Sequence, residues 1–218
     1  MIKAVIFDFD GTLANTLPLC FYAFKRVFKE FDNKDFSSEE IKAMFGPSET
    51  EILKENLAHE DSDRAIEMYY QTYVEHHSEF VDYNKEMDGL LRYLKDTGVK
   101  LGIVTGKAKR SLDISLAELQ MDNLFHVIIT GDDVSKPKPD SEGLLKALSV
   151  LGVESNEAVF IGDSDADIQA GLQAKVYTIG AQWLPDYQTM EFTHEPDTVF
   201  DSINDFMASV KEGHLYEL

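Results

Sequence analysis

Short apolar runs, each closed by Gly, Asp or Thr, recur along this chain with helix-like segments between them. The runs are Ala4 to Phe9, Leu101 to Val104, Val127 to Ile129, Ala158 to Ile161 and Val176 to Ile179. Each is rich in Val, Ile and Phe and only a few residues long. That pattern predicts strands buried on both faces. Met87 to Thr97, Ser111 to Leu119, Ser141 to Leu151 and Ala166 to Ala174 read as the intervening helices. Strands alternating with helices predict an α/β fold, a Rossmann-like doubly wound parallel sheet with helices on both sides. Thr198 to Phe200 adds a short last strand, and Ile203 to Lys211 a closing helix.

One region breaks the alternation. Between Thr16 and Val81 no strand pattern is present. Leu17, Phe21, Phe24, Phe28 and Phe31 recur at three- and four-residue steps, a helical stripe. Glu39 to Phe45, Glu49 to Leu57 and Ala65 to Phe80 also read as helical. Pro18 suits the first turn of the first of these helices. Residues 16–81 are therefore expected to form a helical insertion in a core made of residues 1–15 and 82–218.

The charge balance narrows the partners. With 40 acidic against 20 basic residues, the net charge is −20. Such a surface repels nucleic-acid backbones and anionic lipid, so neither is an expected partner. The same field opposes a phosphorylated ligand, so a phosphate site here needs local compensation from a metal ion or a lysine. Cys20 is the only cysteine, which rules out an intrachain disulfide. No basic segment followed by a long apolar one opens the chain, and no apolar run approaches the ~18 residues of a spanning helix. The expectation is a cytoplasmic protein.

The acids stand where apolar runs end. Asp8 and Asp10 flank Phe9 in Asp8-Phe9-Asp10-Gly11-Thr12, and side chains two apart on a strand share a face. Two carboxylates held so close repel unless a cation lies between them. Gly11 allows a sharp turn that brings backbone N–H groups to the same point. A plain Asx turn with solvated acids is the competing reading. A second cluster, Gly162-Asp163-Ser164-Asp165-Ala166-Asp167, follows another apolar run. Helix capping explains one acid there, not three. In an open parallel sheet the carboxyl ends of the strands face one crevice, so Asp8, Asp10 and Asp163 are expected to converge. Oxygen ligands without Cys or His suit Mg²⁺.

Two further strand ends carry phosphate-binding chemistry. Thr105-Gly106 offers a hydroxyl and flexible N–H groups. Gly102 to Lys107 is too short for a P-loop and has Ala108 where Ser or Thr is required. Lys136 opens Lys136-Pro137-Lys138-Pro139, a loop stiff enough to hold a lysine inward, although two solvated lysines fit that segment equally well. His59, His76 and His77 lack the spacing of a metal site and read as surface residues on polar helix faces. Trp183 reads as cover for the core.

Together these residues resemble the haloacid dehalogenase superfamily over nearly the whole chain. Asp8 to Thr12, Thr105, Lys136 and Gly162 to Asp167 look like its four motifs, in order and each at a strand end. The insertion resembles its small α-helical cap. The resemblance implies that Asp8 attacks phosphorus and forms an aspartyl-phosphate. It implies that Asp10 protonates the leaving oxygen and then deprotonates water. Mg²⁺ would bind Asp8, the backbone carbonyl of Asp10, and Asp163, with Asp167 supporting from behind. Thr105 would hold the transferring phosphoryl group with Gly11 and Gly106, and Lys136 would neutralise it. The implied activity is Mg²⁺-dependent hydrolysis of a small phosphate monoester, a phosphorylated metabolite.

Two alternatives share the motifs. In a sugar phosphomutase the first cap helix carries a His where Cys20 falls, and the cap loop an Arg that Phe45-Gly46-Pro47-Ser48-Glu49 lacks. A receiver-like signalling module would accept phosphate without hydrolysing it, but has neither the insertion nor the second Asp. The Gly46-Pro47 loop looks more like that of phosphoglycolate phosphatases and related pyrophosphatases, though Asn15 stands where many of those have Asp. Gly46, Pro47, Ser48 and the face of the first cap helix bearing Lys25, Arg26 and Lys29 are the expected substrate contacts.

Overall fold

The computed structural model describes residues 1–213. Six strands form one parallel sheet: β1 (Ala4–Phe7), β2 (Lys100–Val104), β3 (Val127–Ile129), β4 (Ala158–Gly162), β5 (Tyr177–Ala181) and β6 (Thr198–Phe200). Their order is β3-β2-β1-β4-β5-β6. The chain thus winds outward from β1 in one direction, then returns and winds outward in the other. The reversal between β1 and β4 is where an α/β sheet opens its crevice. Four helices lie between β1 and the core helix preceding β2: α1 (Leu17–Asp32), α2 (Ser38–Lys42), α3 (Glu49–Asn56) and α4 (Ser62–Phe80). Then follow α5 (Lys85–Asp96), α6 (Lys109–Glu118), α7 (Glu142–Leu151), α8 (Asp165–Ala174) and α9 (Ile203–Lys211).

Strand residues divide by parity between two apolar layers, as a pleated strand requires. Val5 and Phe7 join one layer with α5, α6 and α9, whereas Ala4 and Ile6 join the other with α7 and α8. The first layer runs on through Phe9 and Leu13 into the helical insertion. There α1 and α4 pack along each other. The phenylalanine stripe is their seam: Phe24 and Phe28 are buried, with Phe24 4.7 Å from the Tyr69 ring and Phe28 4.8 Å from Phe36. Pro18 lies in the first turn of α1, where its missing N–H costs nothing. Helix α5 packs against β2 and α9, so it covers the sheet and does not extend the insertion's seam. No helix among the described residues is long and apolar enough to cross a membrane.

Local details follow the sequence reading closely, with ends shifted by one to three residues. The exception is His77. Although expected on a polar face, it is buried, and its Nε2 lies 2.9 Å from Ser115 Oγ, which also meets Tyr73 Oη at 2.9 Å. Helix α4 is covered by α1 on one side and touches α6 on another, so it has less free surface than a one-stripe reading allows. His59 is exposed and His76 partly exposed, as expected. Trp183 caps the apolar layer beside Phe206 at 5.7 Å, and its Nε1 donates to the Thr12 carbonyl at 2.8 Å.

Truncating the seam tests this packing. Phe28→Ala should cost about 3–5 kcal/mol of stability, whereas Val74→Ala on the exposed face of α4 should stay within about 0.5 kcal/mol. Urea unfolding midpoints of the two variants measure the difference; equal shifts would contradict the seam.

Candidate active site

Asp8 comes one residue after β1 and Asp163 one residue after β4, and these strands are neighbours with Phe7 opposite Ile161. The Asp8 N–H still donates to Ile161 O at 2.8 Å, which continues the ladder by one step. Both side chains therefore leave the same edge of the sheet. Gly11 completes the approach. Its φ is +83°, and a Cβ there would stand 2.2 Å from Asp163 Oδ2. Only glycine lets the first acidic turn lie flat against the second.

Asp167 joins them from the first turn of α8. Carboxylate oxygens of Asp8, Asp163 and Asp167 all lie within 4.8 Å of one another, and all three residues are buried. Capping accounts for part of Asp167: its Oδ2 accepts from Ser164 N at 3.0 Å, and Ser164 Oγ accepts from Asp167 N at 3.2 Å. Its other oxygen accepts from Lys138 Nζ at 2.5 Å. Asp163 takes the Thr12 hydroxyl at 3.2 Å on Oδ1 and the Gln188 N–H at 2.7 Å on Oδ2.

The lysine in this cluster is Lys138, not Lys136. Lys138 Nζ donates to Asp8 Oδ1 at 2.8 Å as well as to Asp167. The Lys136 side chain is exposed and, among the described residues, pairs only with Asp140, at 4.0 Å. The cause is local. Glu142 accepts the N–H groups of Ser135 and Lys136 at 3.0 and 2.9 Å, which fixes that end of the loop outside, and Lys138 is the next side chain that can turn in. The sequence offered two lysines separated by a proline, and only the path of the loop chooses between them.

Three buried carboxylates face one ammonium. Burial pushes the Asp8 carboxyl up to about 7, against the opposing pull of Lys138. Burial, then Asp167 and Asp8, hold Asp163 well above the ordinary carboxylate range. Burial also works against the charge of Lys138, but Asp167 and Asp8 outweigh it and keep that ammonium above the usual lysine range. Carboxylates so disfavoured as anions, with all-oxygen donors, fit a hard divalent cation.

Asp10 takes a different direction from the expected convergence. Its carboxylate accepts from Lys107 Nζ at 3.0 and 3.3 Å and from the hydroxyl of Thr16. Thr16 precedes α1 without capping it, because its hydroxyl is used on Asp10. Lys107, which ends the stretch that fails as a P-loop, has a fully enclosed side chain. It bridges Asp10 to Glu49 of α3, 3.3 Å away, and Glu49 also accepts from Ser111 Oγ at 2.5 Å. The faint signal was a lysine two residues after a strand-end threonine.

One cavity of about 310 Å³ joins Asp8 and Lys138 to Asp10 and Lys107, while Asp163 and Asp167 lie behind its wall and do not line it. Asp8, Asp10, Thr105, Gly106, Lys107 and Lys138 line its floor, and Gly46, Pro47, Glu49 and Lys42 enter from the helical insertion. Ser48 does not line it; that residue is buried, with its Cβ turned towards Gly131. Lys25, Arg26 and Lys29 do not line it either. Lys25 donates to Ser38 Oγ at 2.8 Å, Lys29 pairs with Asp35 at 2.7 Å, and Arg26 stands over the Tyr22 ring at 5.8 Å. Their face of α1 points away from the crevice because the opposite face carries the seam.

The model of the haloacid dehalogenase-like hydrolase family matches residues 5–181 of this sequence. The chain belongs to that family. It is 36% identical over 217 residues to pyrophosphatase PpaX of Listeria monocytogenes serotype 4b, with 97% of each chain covered. It is 32% identical over 209 residues to pyrophosphatase PpaX of Bacillus mycoides, covering 94% of this chain and 95% of the other. Among solved structures, CbbY from Rhodobacter sphaeroides in complex with phosphate superposes with a TM-score of 0.82 at 24% identity, covering 94% and 96% of the two chains. A Lactobacillus plantarum protein proposed to be a phosphoglycolate phosphatase superposes with a TM-score of 0.77 at 26% identity, covering 95% and 99%. Within the matched stretch, α1 to α4 are inserted directly after β1.

The crowding of acids has a thermodynamic consequence. In metal-free protein a carboxyl raised towards 7 keeps its proton on folding, so stability is full below the unfolded value of about 4 and falls as pH rises through about 7. Asp163→Asn should remove part of the repulsion. In EDTA at neutral pH its Tm should exceed that of the natural chain, by about 2–4 °C for each kcal/mol relieved, and adding Mg²⁺ should not raise it further. Calorimetry with EDTA and with Mg²⁺ checks both; a variant less stable in EDTA would contradict the charge argument.

Proposed function

We propose that this hydrolase is a Mg²⁺-dependent phosphatase acting on a small phosphate monoester through an aspartyl-phosphate at Asp8. The observation that carries the reading is the shared cavity: Asp8, its lysine partner Lys138, the strand-end Thr105 and Asp10 all line it. Asp8, Asp163 and the backbone carbonyl of Asp10 would hold the cation, which would offset the phosphate charge and the charge of the attacking carboxylate.

An Asp8 oxygen attacks phosphorus, and the bond from phosphorus to the leaving oxygen breaks. Asp10 gives that oxygen a proton. In the second half, Asp10 takes a proton from water as the water oxygen bonds to phosphorus and the Asp8–phosphorus bond breaks. Lys138, fixed between Asp8 and Asp167, orients the nucleophile and attracts the phosphoryl oxygens. The Thr105 hydroxyl and the N–H of Gly106 complete the phosphoryl cradle. Residues 16–81 act as the cap that shields the crevice from water, and residues 1–15 and 82–218 as the catalytic core. Cys20 supports hydrolysis over mutase chemistry. It is buried beside Lys107 at 3.6 Å, burial pushes its thiol up to about 12, and it is a poor proton carrier there. A diphosphate is the second reading for the substrate, favoured by the name of the PpaX relatives.

Asp8→Asn should abolish turnover, and EDTA should do so reversibly. Acid-quenched natural enzyme mixed with a ³²P-labelled ester should carry label that Asp8→Asn lacks; label on both chains would refute the nucleophile. Lys138→Met should lower kcat by about 10²–10³-fold. Lys136→Met, on the exposed end of the loop, separates the two lysines: a comparable loss there would mean that Lys138 is not the phosphate lysine.

A further inference from the structure

Three lysines line the cavity, and two of them are already matched. Lys138 is paired with Asp8 and Asp167, and Lys107 with Asp10 and Glu49. Lys42, at the C-terminal end of α2, has no carboxylate within ion-pair distance among the described residues. Its ammonium donates to a neutral group, the backbone carbonyl of Gln188. Among the three lysines that line this cavity, Lys42 alone is half-buried without an acid partner, in a chain whose net charge is −20.

Position adds to this. Lys42 and Gln188 line both this cavity and a neighbouring groove floored by Leu17, Phe21 and Tyr187, so their contact is the wall between the two. The Gln188 segment is fixed from the core side. Its N–H is bound to Asp163 at 2.7 Å, and Asn15 exchanges hydrogen bonds with Asp186 at 3.0 and 3.2 Å. Lys42 comes from the insertion and has only the carbonyl to release. An anion entering the crevice offers it a better, charge-assisted partner. The remaining cap-side lining is Cys20, Phe24, Phe45, Gly46, Pro47 and Ile52, which brings no other cationic side chain, and Glu49 is spent on Lys107 and Ser111. Asp165, the remaining acid on the wall, accepts the Thr193 N–H at 2.7 Å on the core side.

We propose that Lys42 is a specificity-determining residue that selects substrates bearing a second anionic group beyond the phosphoryl being transferred. The inference rests on the phosphatase reading and names its substrate class. A diphosphate and a phosphorylated carboxylic acid both present that chemistry; an ester with a neutral tail does not.

The test is steady-state phosphate release with Mg²⁺ from pyrophosphate, 2-phosphoglycolate and ethyl phosphate by the natural enzyme, Lys42→Met and Lys42→Arg. The natural enzyme should prefer one or both of the substrates with a second anionic group to ethyl phosphate in kcat/KM. In Lys42→Met that preference should fall by at least about tenfold, through KM, as the loss of one charge-assisted contact implies. Lys42→Arg should restore much of it. A loss confined to pyrophosphate or to 2-phosphoglycolate identifies which anion the lysine reads. An unchanged preference, or an equal loss on all three substrates, overturns the proposal and leaves the phosphatase reading standing. Phosphate release that Asp8→Asn does not reduce overturns that reading and this inference with it.

Discussion

Too much negative charge at one edge of the sheet governs the rest of the structure. Asp8, Asp163 and Asp167 bring three buried carboxylates within 4.8 Å, and Lys138 answers only part of that charge. A fold built for stability alone would not assemble them, since removing charges from water without full pairing is costly. The arrangement persists because the backbone enforces it. Parallel β1 and β4 aim their carboxyl ends at one point, and Gly11 lets the two turns touch. Local strain of this kind marks a place where the chain keeps a site at the expense of stability.

Around that centre the charges separate into two groups with different work. Lys138 serves Asp8 and Asp167. Lys107 serves Asp10, and it reaches Asp10 only as part of a link to Glu49 in the insertion. Glu49 also holds Ser111 at the start of α6. The acid/base candidate therefore sits where the insertion meets the core, and the position of the insertion and the setting of Asp10 are mechanically connected. Tyr73 and His77 meet Ser115 a turn further along α6, which makes that helix the side on which the insertion is anchored. The opposite side is joined at Lys42 and Gln188, through a single lysine and a carbonyl.

Asn15 illustrates how a departure from a family pattern finds its reason in a distant residue. Its amide both donates to and accepts from Asp186. A carboxylate at position 15 could not donate and would repel Asp186. The asparagine thus belongs to the segment that carries Gln188 towards Asp163, and it has no direct part in the chemistry of the crevice.

The order and type of the elements, the parallel sheet, the insertion after β1 and the strand-end acids were all set by the sequence. Apolar period and strand-end residue type are local properties, and each strand carries them whatever its neighbours do. The pairing of particular charges was not local. Asp10 faces Lys107 instead of joining Asp163, Lys138 turns in where Lys136 does not, Ser48 turns away from the cavity, and Lys42 replaces the lysines of α1. Each of those choices depends on the path of a loop or the rotation of a helix about its own axis. Equivalent side chains a residue or two apart point in different directions, and only the packed structure decides which one meets its partner.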